Sequence, residues 1–281
     1  MKLAIIARRA SANTKDLIRA SEEASIECTV FEAKEILVDT GALHSSDFFK
    51  HDVYLFRGYN RSYYQAQALA QYLRASGKIV IDDVLATNFI PSKLHEALVY
   101  IRNAIAHPRT LSVRQVETLG TAELSFPLVV KDVDSQRGRG VRLCRSKEEL
   151  AEEIRLYGDS IILQEFMKMD YDIRVLCIGD AVLGAVKRHV VDGDFRSNVS
   201  LGAAVEPYEM TNQVRELALK AHKALGYDVS GVDIGFTPDD KPFVIETNIT
   251  PEWQGFQEAT GLDVAAEIVK YVQERFNHAR S

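Results

Sequence analysis

The 281 residues, 46% of them hydrophobic, suffice for two or three compact subdomains with sizeable cores and argue against a single small module. Forty acidic against 34 basic side chains leave a net charge of −6, which gives no general attraction to nucleic acid or anionic membrane. Cys28, Cys144 and Cys177 are far apart and form no CxxC pair, so neither a disulfide framework nor a zinc ribbon is expected; buried, reduced thiols in a cytoplasmic protein are.

Residues 3–7 open as an apolar strand that Arg8 and Arg9 cut off, too short for a secretory signal, and no stretch approaches the roughly 18 apolar residues that span a membrane. Periodicity then predicts a helix near 14–24, strands at 26–31 and 53–56, a helix over 62–75 and a strand at 78–81. This alternation implies a small parallel α/β domain. Pro91 at a first helical turn, with Leu94, Leu98 and Ile101 at helical spacing, predicts a helix over 91–104 whose start ends that domain. From Phe126 the pattern turns β-rich, with strands at 127–131, 141–144, 160–166, 171–178 and 181–188 and one helix around 147–156. It reads as antiparallel sheet with helices on one face. A helix at 214–225, strands at 229–236 and 242–247 joined through 237–241, and a closing helix at 262–275 complete the chain, with no internal repeat or long linker.

Strand alternation sorts the residues of the last two strands onto faces. Gly231, Asp233 and Gly235 point one way and Val232, Ile234 and Phe236 the other; in the second strand Val244, Glu246 and Asn248 lie opposite Phe243, Ile245 and Thr247. A hairpin then gathers Asp233, Glu246 and Asn248 on one face. Two carboxylates and an amide are the hard oxygen set that Mg2+ takes while leaving room for water and nucleotide phosphates. A solvated sheet face would carry the same acids, but the glycines flanking Asp233 leave space for a ligand.

Lys131 ends a strand and precedes a loop, 135–141, whose Gly138 and Gly140 free backbone donors to cradle phosphate. Because Leu143 stands where a third glycine would be needed, neither a P-loop nor a dinucleotide-binding spacing is present. Gln164, Glu165 and Phe166 end a strand before Asp172 and Arg174, offering backbone hydrogen bonds to a base and a carboxylate near a ribose or metal. Lys187, Arg188 and the loop holding Arg196, Ser197 and Asn198 add donors suited to phosphate or a developing oxyanion, although a charged turn is the plainer reading of the first two. Other catalytic plans fare badly: His95 and Glu96 are followed by Val99 rather than the second histidine of a zinc-protease helix, and no G-x-S-x-G elbow occurs.

Taken in order, these segments resemble the ATP-grasp superfamily, and within it the RimK-type carboxylate–amine ligases, from Lys2 to about Glu274. The matching stretches are 164–166 with 172–174, 193–198, 231–233, and 246–248 with Pro251 and Gly255. The resemblance implies an α/β (α+β) ATP-grasp fold: an N-terminal parallel α/β domain at 1–90, a central α+β subdomain at 91–165 and a C-terminal antiparallel-sheet subdomain at 166–281, with nucleotide between the last two. It implies that Lys93 and Lys131 contact the ATP phosphates, that the loop through Gly138 and Gly140 closes over them, and that Glu165 and Phe166 lie at the adenine; Lys187, as a cationic donor, is counted with the nucleotide-binding residues. Asp172 would lie near the ribose, with Arg196, Ser197 and Asn198 completing that pocket. Asp233, Glu246 and Asn248 would hold Mg2+, or Mn2+ in its place.

The implied reaction is phosphoryl transfer from ATP to a carboxylate, giving an acyl phosphate that an amine attacks; Arg174 and Arg196 are the candidates to steady it. Glutamate is the favoured amine, the acceptor a peptide, a protein C-terminus or a small metabolite, and the assembly a homo-oligomer, dimer or tetramer. Peptide macrocyclisation and a non-catalytic ATP-binding regulatory module are the alternatives. The chain departs from the family pattern at Ser92, where an acid is usual before Lys93, at Arg137 and Arg139 in the phosphate loop, and at 200–203, a stretch less basic and less glycine-rich than usual. Arg57 and Arg61 follow a strand of the first domain, where they could grip an acidic acceptor or an amino-acid carboxylate, or simply begin a solvated helix.

Overall fold

The structure is a computed structural model that describes residues 1–59, 62–88, 92–112, 115, 125–132, 140–157, 161–190 and 204–281. Its first unit runs β1 (Lys2–Ile6), α1 (Ala12–Glu23), β2 (Glu27–Phe31), β3 (Val53–Phe56), α2 (Tyr63–Ala75) and β4 (Ile79–Ile81). The strands are parallel in the order β2-β1-β3-β4. Apolar layers cover both faces, which is why β1 and β3 read as unbroken hydrophobic runs. Leu3 and Ile5 share a core with Leu17, whereas Ala4 and Ile6 share another with Leu69 and Leu73. Ser11 starts α1 by accepting the N–H of Thr14, satisfying a donor that the first turn leaves free.

The second unit comprises α3 (Lys93–Arg102), β5 (Thr110–Ser112), β6 (Leu128–Asp132), β7 (Val141–Cys144), α4 (Lys147–Tyr157) and β8 (Ile161–Glu165). Its strands form an antiparallel sheet, β5-β8-β6-β7, with Leu128, Val130 and Leu163 packed on Leu150 and Ile154 of α4. The helix expected over 91–104 is there, but Leu98 and Ile101 are 55% and 65% exposed. Ala97, Val99 and Tyr100 carry its buried side instead, because α3 turns the Tyr100 ring into the neighbouring core.

The third unit holds β9 (Tyr171–Ile178), β10 (Ala181–His189), β11 (Val205–Pro207), α5 (Asn212–Leu225), β12 (Val229–Phe236), β13 (Pro242–Asn248), α6 (Gln254–Thr260) and α7 (Val264–His278). Its antiparallel sheet has the order β11-β10-β9-β12-β13. One face packs on α5: Ile173, Val175, Val232, Ile234 and Val244 meet Val214, Ala218 and Ala221, and Tyr100 of α3 joins them. At one end of the opposite face, Leu176 and Val186 share a core with Leu3 and Ile5 of the first unit and with Ile268 and Val272 of α7. Asp172, Arg174, Arg188 and Asp233 occupy the other end of that face, where charge replaces apolar cover. The fold therefore delivers a polar half-face beside the second sheet. Strands β5 and β11 and helix α6 were not expected from periodicity; each is seven residues or shorter, too brief to carry a clear period.

Candidate active site

Asp233 pairs directly with Glu246 across β12 and β13, and Gly231 with Asn248. The next pair is Ile234 with Val244, so Ile245 is an extra residue on β13, a β-bulge. This corrects the simple alternation expected for β13. Val244 lies with Ile234 in the α5 core, and the bulge restores Glu246 to the Asp233 side two residues later. Without the extra residue, the buried Val244 and the paired Glu246 could not both be accommodated.

The three expected metal-holding residues lie together. The Asn248 amide Nδ2 donates to Glu246 Oε1 at 3.0 Å. Both oxygens of Asp233 accept from Arg174, through Nε and through Nη2 at 2.8 Å, and Arg188 Nη2 is 3.0 Å from Asp233 Oδ1. Arg188 in turn grips both oxygens of Asp172 at 2.7 Å. This chain of two buried acids, the buried Arg188 and the partly exposed Arg174 holds Arg188 firmly protonated: burial works against the charge, but Asp233 and Asp172 outweigh it. Gly231 keeps the cluster compact, since a Cβ there would sit 3.0 Å from both Arg174 Cδ and Pro251 Cβ.

Lys93 at the start of α3, Lys131 at the end of β6 and Glu246 line one cleft with Glu96, Gln164 and Ile245. Lys131 is buried, which pushes its ammonium down from the ordinary lysine value; Glu246 acts against that burial, while Lys93 adds to the depression. Burial pushes the Glu246 carboxyl up, yet Lys93, Lys131, Asn248 and Arg174 together prevail and hold it at about 2. The cleft thus keeps an ionised carboxylate between two ammonium groups, the balance needed where phosphate charge enters beside a cation. Glu96 is different: burial and the neighbouring Glu246 raise it to about 7, against hydrogen bonds from Tyr100 and Thr247.

Other expected residues are distributed unevenly. Gly140 sits at the base of the β6–β7 hairpin with φ +74°, its carbonyl accepting from Asp132 N at 3.0 Å. Glu165 ends β8, exposed, its N–H bonded to Arg109 O, and Phe166 follows it half-buried. Lys187 is not brought to the cluster: it stands beside Ile173 in register, one residue out of phase with Val186 and Arg188, and its ammonium lies 4.4 Å from the Tyr171 ring on the α5 side of the sheet. It also pairs with Glu206 at 3.3 Å. Arg57, expected as a substrate grip or a solvated helix start, is neither. Its side chain is 3% exposed, paired with Asp82, and its Nη1 donates to Ile249 O at 2.8 Å. Gly138, Arg196, Ser197 and Asn198, with Arg61, Arg137, Arg139, Pro91 and 200–203, lie outside the described residues.

Glu96 and Tyr100 escaped sequence reasoning. Their one signal is spacing: Glu96 lies three residues after Lys93 and four before Tyr100, which stacks all three on one side of a helix. A glutamate on an amphipathic helix is ordinarily a surface residue, and nothing local marks this one as bound to a distant strand.

Among the described residues no group of three or more His, Cys, Asp and Glu side chains could hold a metal by itself. Two carboxylates and an amide beside two lysines fit Mg2+ that arrives with a nucleotide: Asp233, Glu246 and Asn248 would hold the ion, which would offset phosphate charge, and Lys93 and Lys131 would meet the phosphates. A family model described as the RimK-like ATP-grasp domain matches residues 91–272. The chain belongs to the RimK-like ATP-grasp family. It is accordingly an ATP-dependent, ADP-forming carboxylate–amine ligase, and ATP with Mg2+ is the pair its family uses.

Among the relatives of this RimK-like chain is the ribosomal protein bS6–L-glutamate ligase of Shigella boydii serotype 4, 32% identical over 222 residues, 75% of this chain and 73% of the relative. The ligase of the same name from Escherichia coli strain K12 / DH10B is 35% identical over 60% of this chain and 56% of its own length. In structure, the ATP-grasp ligase PsnB complexed with a minimal precursor superposes with a TM-score of 0.76 at 19% identity, covering 97% of this chain and 99% of that one. That likeness bears on the fold, the three-unit ATP-grasp arrangement anticipated from motif order.

Proposed function

We propose that this ligase joins the amine of an amino acid, with glutamate favoured, to a carboxylate on a peptide, a protein C-terminus or a small metabolite. The observation that carries the reading is the convergence of Lys93, Lys131 and Glu246 on one cleft, with Asp233 and Asn248 alongside. In this reading Lys93 and Lys131 hold the nucleotide phosphates, Glu165 and Phe166 flank the adenine, and Asp172 serves the ribose end while anchoring Arg188. Asp233, Glu246 and Asn248 hold Mg2+, with Mn2+ able to replace it; the ion neutralises phosphate oxygens. Gly138, Gly140, Arg196, Ser197 and Asn198 close the pocket, and Lys187 is set aside because it faces α5.

The terminal phosphoryl group of ATP passes to a carboxylate oxygen, leaving ADP. The amine nitrogen attacks the acyl carbon, gives up a proton, and phosphate departs as the amide forms. Arg174, already at the edge of the cluster, offsets charge on the acyl phosphate and on its tetrahedral successor, together with Arg196. The bS6–glutamate ligase relatives, at 32% and 35% identity, favour glutamate and a protein acceptor. Because these relatives are ligases that act on a protein, neither macrocyclisation nor a non-catalytic module is favoured. The free thiols Cys28, Cys144 and Cys177 suit a cytoplasmic enzyme.

The test is to incubate the protein with ATP, Mg2+, mixed amino acids and candidate acceptors, measuring ADP and product mass. We expect products heavier by an amino acid minus water, and Asp233→Asn should lose product formation out of proportion to its loss of nucleotide binding. ATP binding without turnover on any acceptor would sink the proposal.

A further inference from the structure

Thr247 stands between Glu246 and Asn248 on β13, the outermost strand of its sheet, so a backbone N–H directed outward there has no neighbouring strand to receive it. That N–H donates instead to Glu96 Oε1 at 2.5 Å. The Tyr100 hydroxyl donates to the same oxygen, and lies 2.7 Å from Thr247 Oγ1. One turn of α3 therefore holds both the backbone and the side chain of Thr247, in a place where Tyr100 and Thr247 are buried.

Glu246 and Asn248 leave the backbone on either side of Thr247. Any rotation of that peptide about the strand axis would swing both side chains, so a fixed Thr247 gives both a fixed direction. The bulge at Ile245 makes this support more important, because it interrupts the regular ladder to β12 just before Glu246. Lys93 lies on the same helix, three residues before Glu96, and lines the same cleft. Helix α3 thereby ties a phosphate-side lysine to the metal-side strand.

We infer that Glu96 is a positioning residue, which through Thr247 sets the direction in which Glu246 and Asn248 present their oxygens to Mg2+. The inference rests on the metal-holding role proposed above for Glu246 and Asn248. It assigns Glu96 work through its acceptor oxygen rather than through its charge, and no direct contact with metal or substrate.

The experiment titrates Mg2+ calorimetrically into wild type, Glu96→Ala, Glu96→Gln, Tyr100→Phe and Asn248→Ala, each saturated with a non-hydrolysable ATP analogue, with a thermal melt of every variant. Loss of a direct outer partner of a metal ligand typically weakens metal affinity about 10- to 100-fold; Glu96 acts one residue further out, through Thr247, so a loss at the lower end, about 10-fold, is expected for Glu96→Ala. Glu96→Gln keeps an oxygen for Thr247 N–H and should stay near wild type. Tyr100→Phe, which keeps the ring, should show an intermediate loss, and it carries the test if Glu96→Ala does not fold. The inference is overturned if Glu96→Gln is as weak as Glu96→Ala, or if Glu96→Ala and Tyr100→Phe melt early while binding Mg2+ like wild type. If Asn248→Ala binds Mg2+ as wild type does, the metal-site reading fails and takes this one with it; if only Asn248→Ala loses Mg2+, the positioning role alone is wrong.

Discussion

Arg57 leaves the end of β3 and is enclosed between two units, its guanidinium against Asp82 and its Nη1 on the carbonyl of Ile249, one residue past Asn248. Burial pushes it down to about 10, while Tyr59 and Asp228 act to raise it; it remains charged at neutral pH. Asp82 is fully buried and also accepts the N–H groups of Asp228 and Val229. Removing one partner of such a pair strands the other, so Arg57→Met should lower stability by about 3–5 kcal/mol, read as a shift in the urea midpoint. A near-unchanged midpoint would mean that Asp82 finds its compensation elsewhere. Lys187 makes the complementary point at this scale: a single step along β10 separates a residue in the charged cluster from one stacked on Tyr171.

At the scale of elements, β13 and α5 decide most of what the site can be. Helix α5 begins at the Thr211 cap, which accepts from Val214 N, and ends at Gly226 in the left-handed region with φ +72°. From its last turn His222 reaches the sheet, Nδ1 at 2.7 Å from Ser230 Oγ and Nε2 at 2.8 Å from Gly179 O. The Gly179 carbonyl requires Nε2–H as donor, leaving Nδ1 to accept from the Ser230 hydroxyl in the neutral ring. Burial lowers its pKa, only partly opposed by Gly179 and by Asp228 and Asp180. The unfolded ring, titrating near 6.5, then binds more protons than the folded one as the pH falls, so the stability due to His222 is present above about 6.5 and lost as pH drops through the folded value. Urea midpoints at pH 7.5 and at roughly pH 5.5 should differ more for wild type than for His222→Gln. Equal pH slopes in the two proteins would remove His222 from the account.

Across the whole molecule, the first unit and the third are bound by reciprocal backbone capture. Asp228 Oδ2 accepts the N–H groups of Asp82 and Asp83 while Asp82 Oδ1 accepts those of Asp228 and Val229. The remaining oxygen of Asp228 accepts from Tyr271 and Arg275 of α7. Asp16 of α1 receives Trp253, Gln254 and Gln257, and Asn13 donates to Pro251 O, so the segment after Asn248 is held along its length by the first unit. Asp228→Ala removes four such bonds at once, with a half-buried guanidinium and phenol left behind. It should cost roughly 3 kcal/mol or more in a denaturant melt, against about 1 kcal/mol for an ordinary hydrogen bond. A loss no greater than that of one bond would show that the two units are held by their shared apolar core alone.

Much of this architecture was legible in the order of residues. The parallel first unit, the β-rich remainder and the face carrying Asp233 follow from periods of 2 and 3.6, which are local properties of the backbone. The glycines beside Asp233, which in the sequence suggest room for a ligand, instead admit protein neighbours: a Cβ on Gly231 would sit 3.0 Å from Arg174 Cδ and Pro251 Cβ. The bulge at Ile245 was not legible, because one extra residue in a strand leaves no mark until its partner strand is known. Nor was the burial of the Arg57 side chain or the capture of Glu96 by Tyr100 and Thr247, since a charged side chain is read as solvated unless something distant in the chain closes over it. Sequence alone determined the class of fold and the order of motifs, which are carried by local periodicity and spacing. Only the tertiary structure decided which charges become struts and which remain in the cleft, because burial and pairing arise between residues 146 or 151 positions apart.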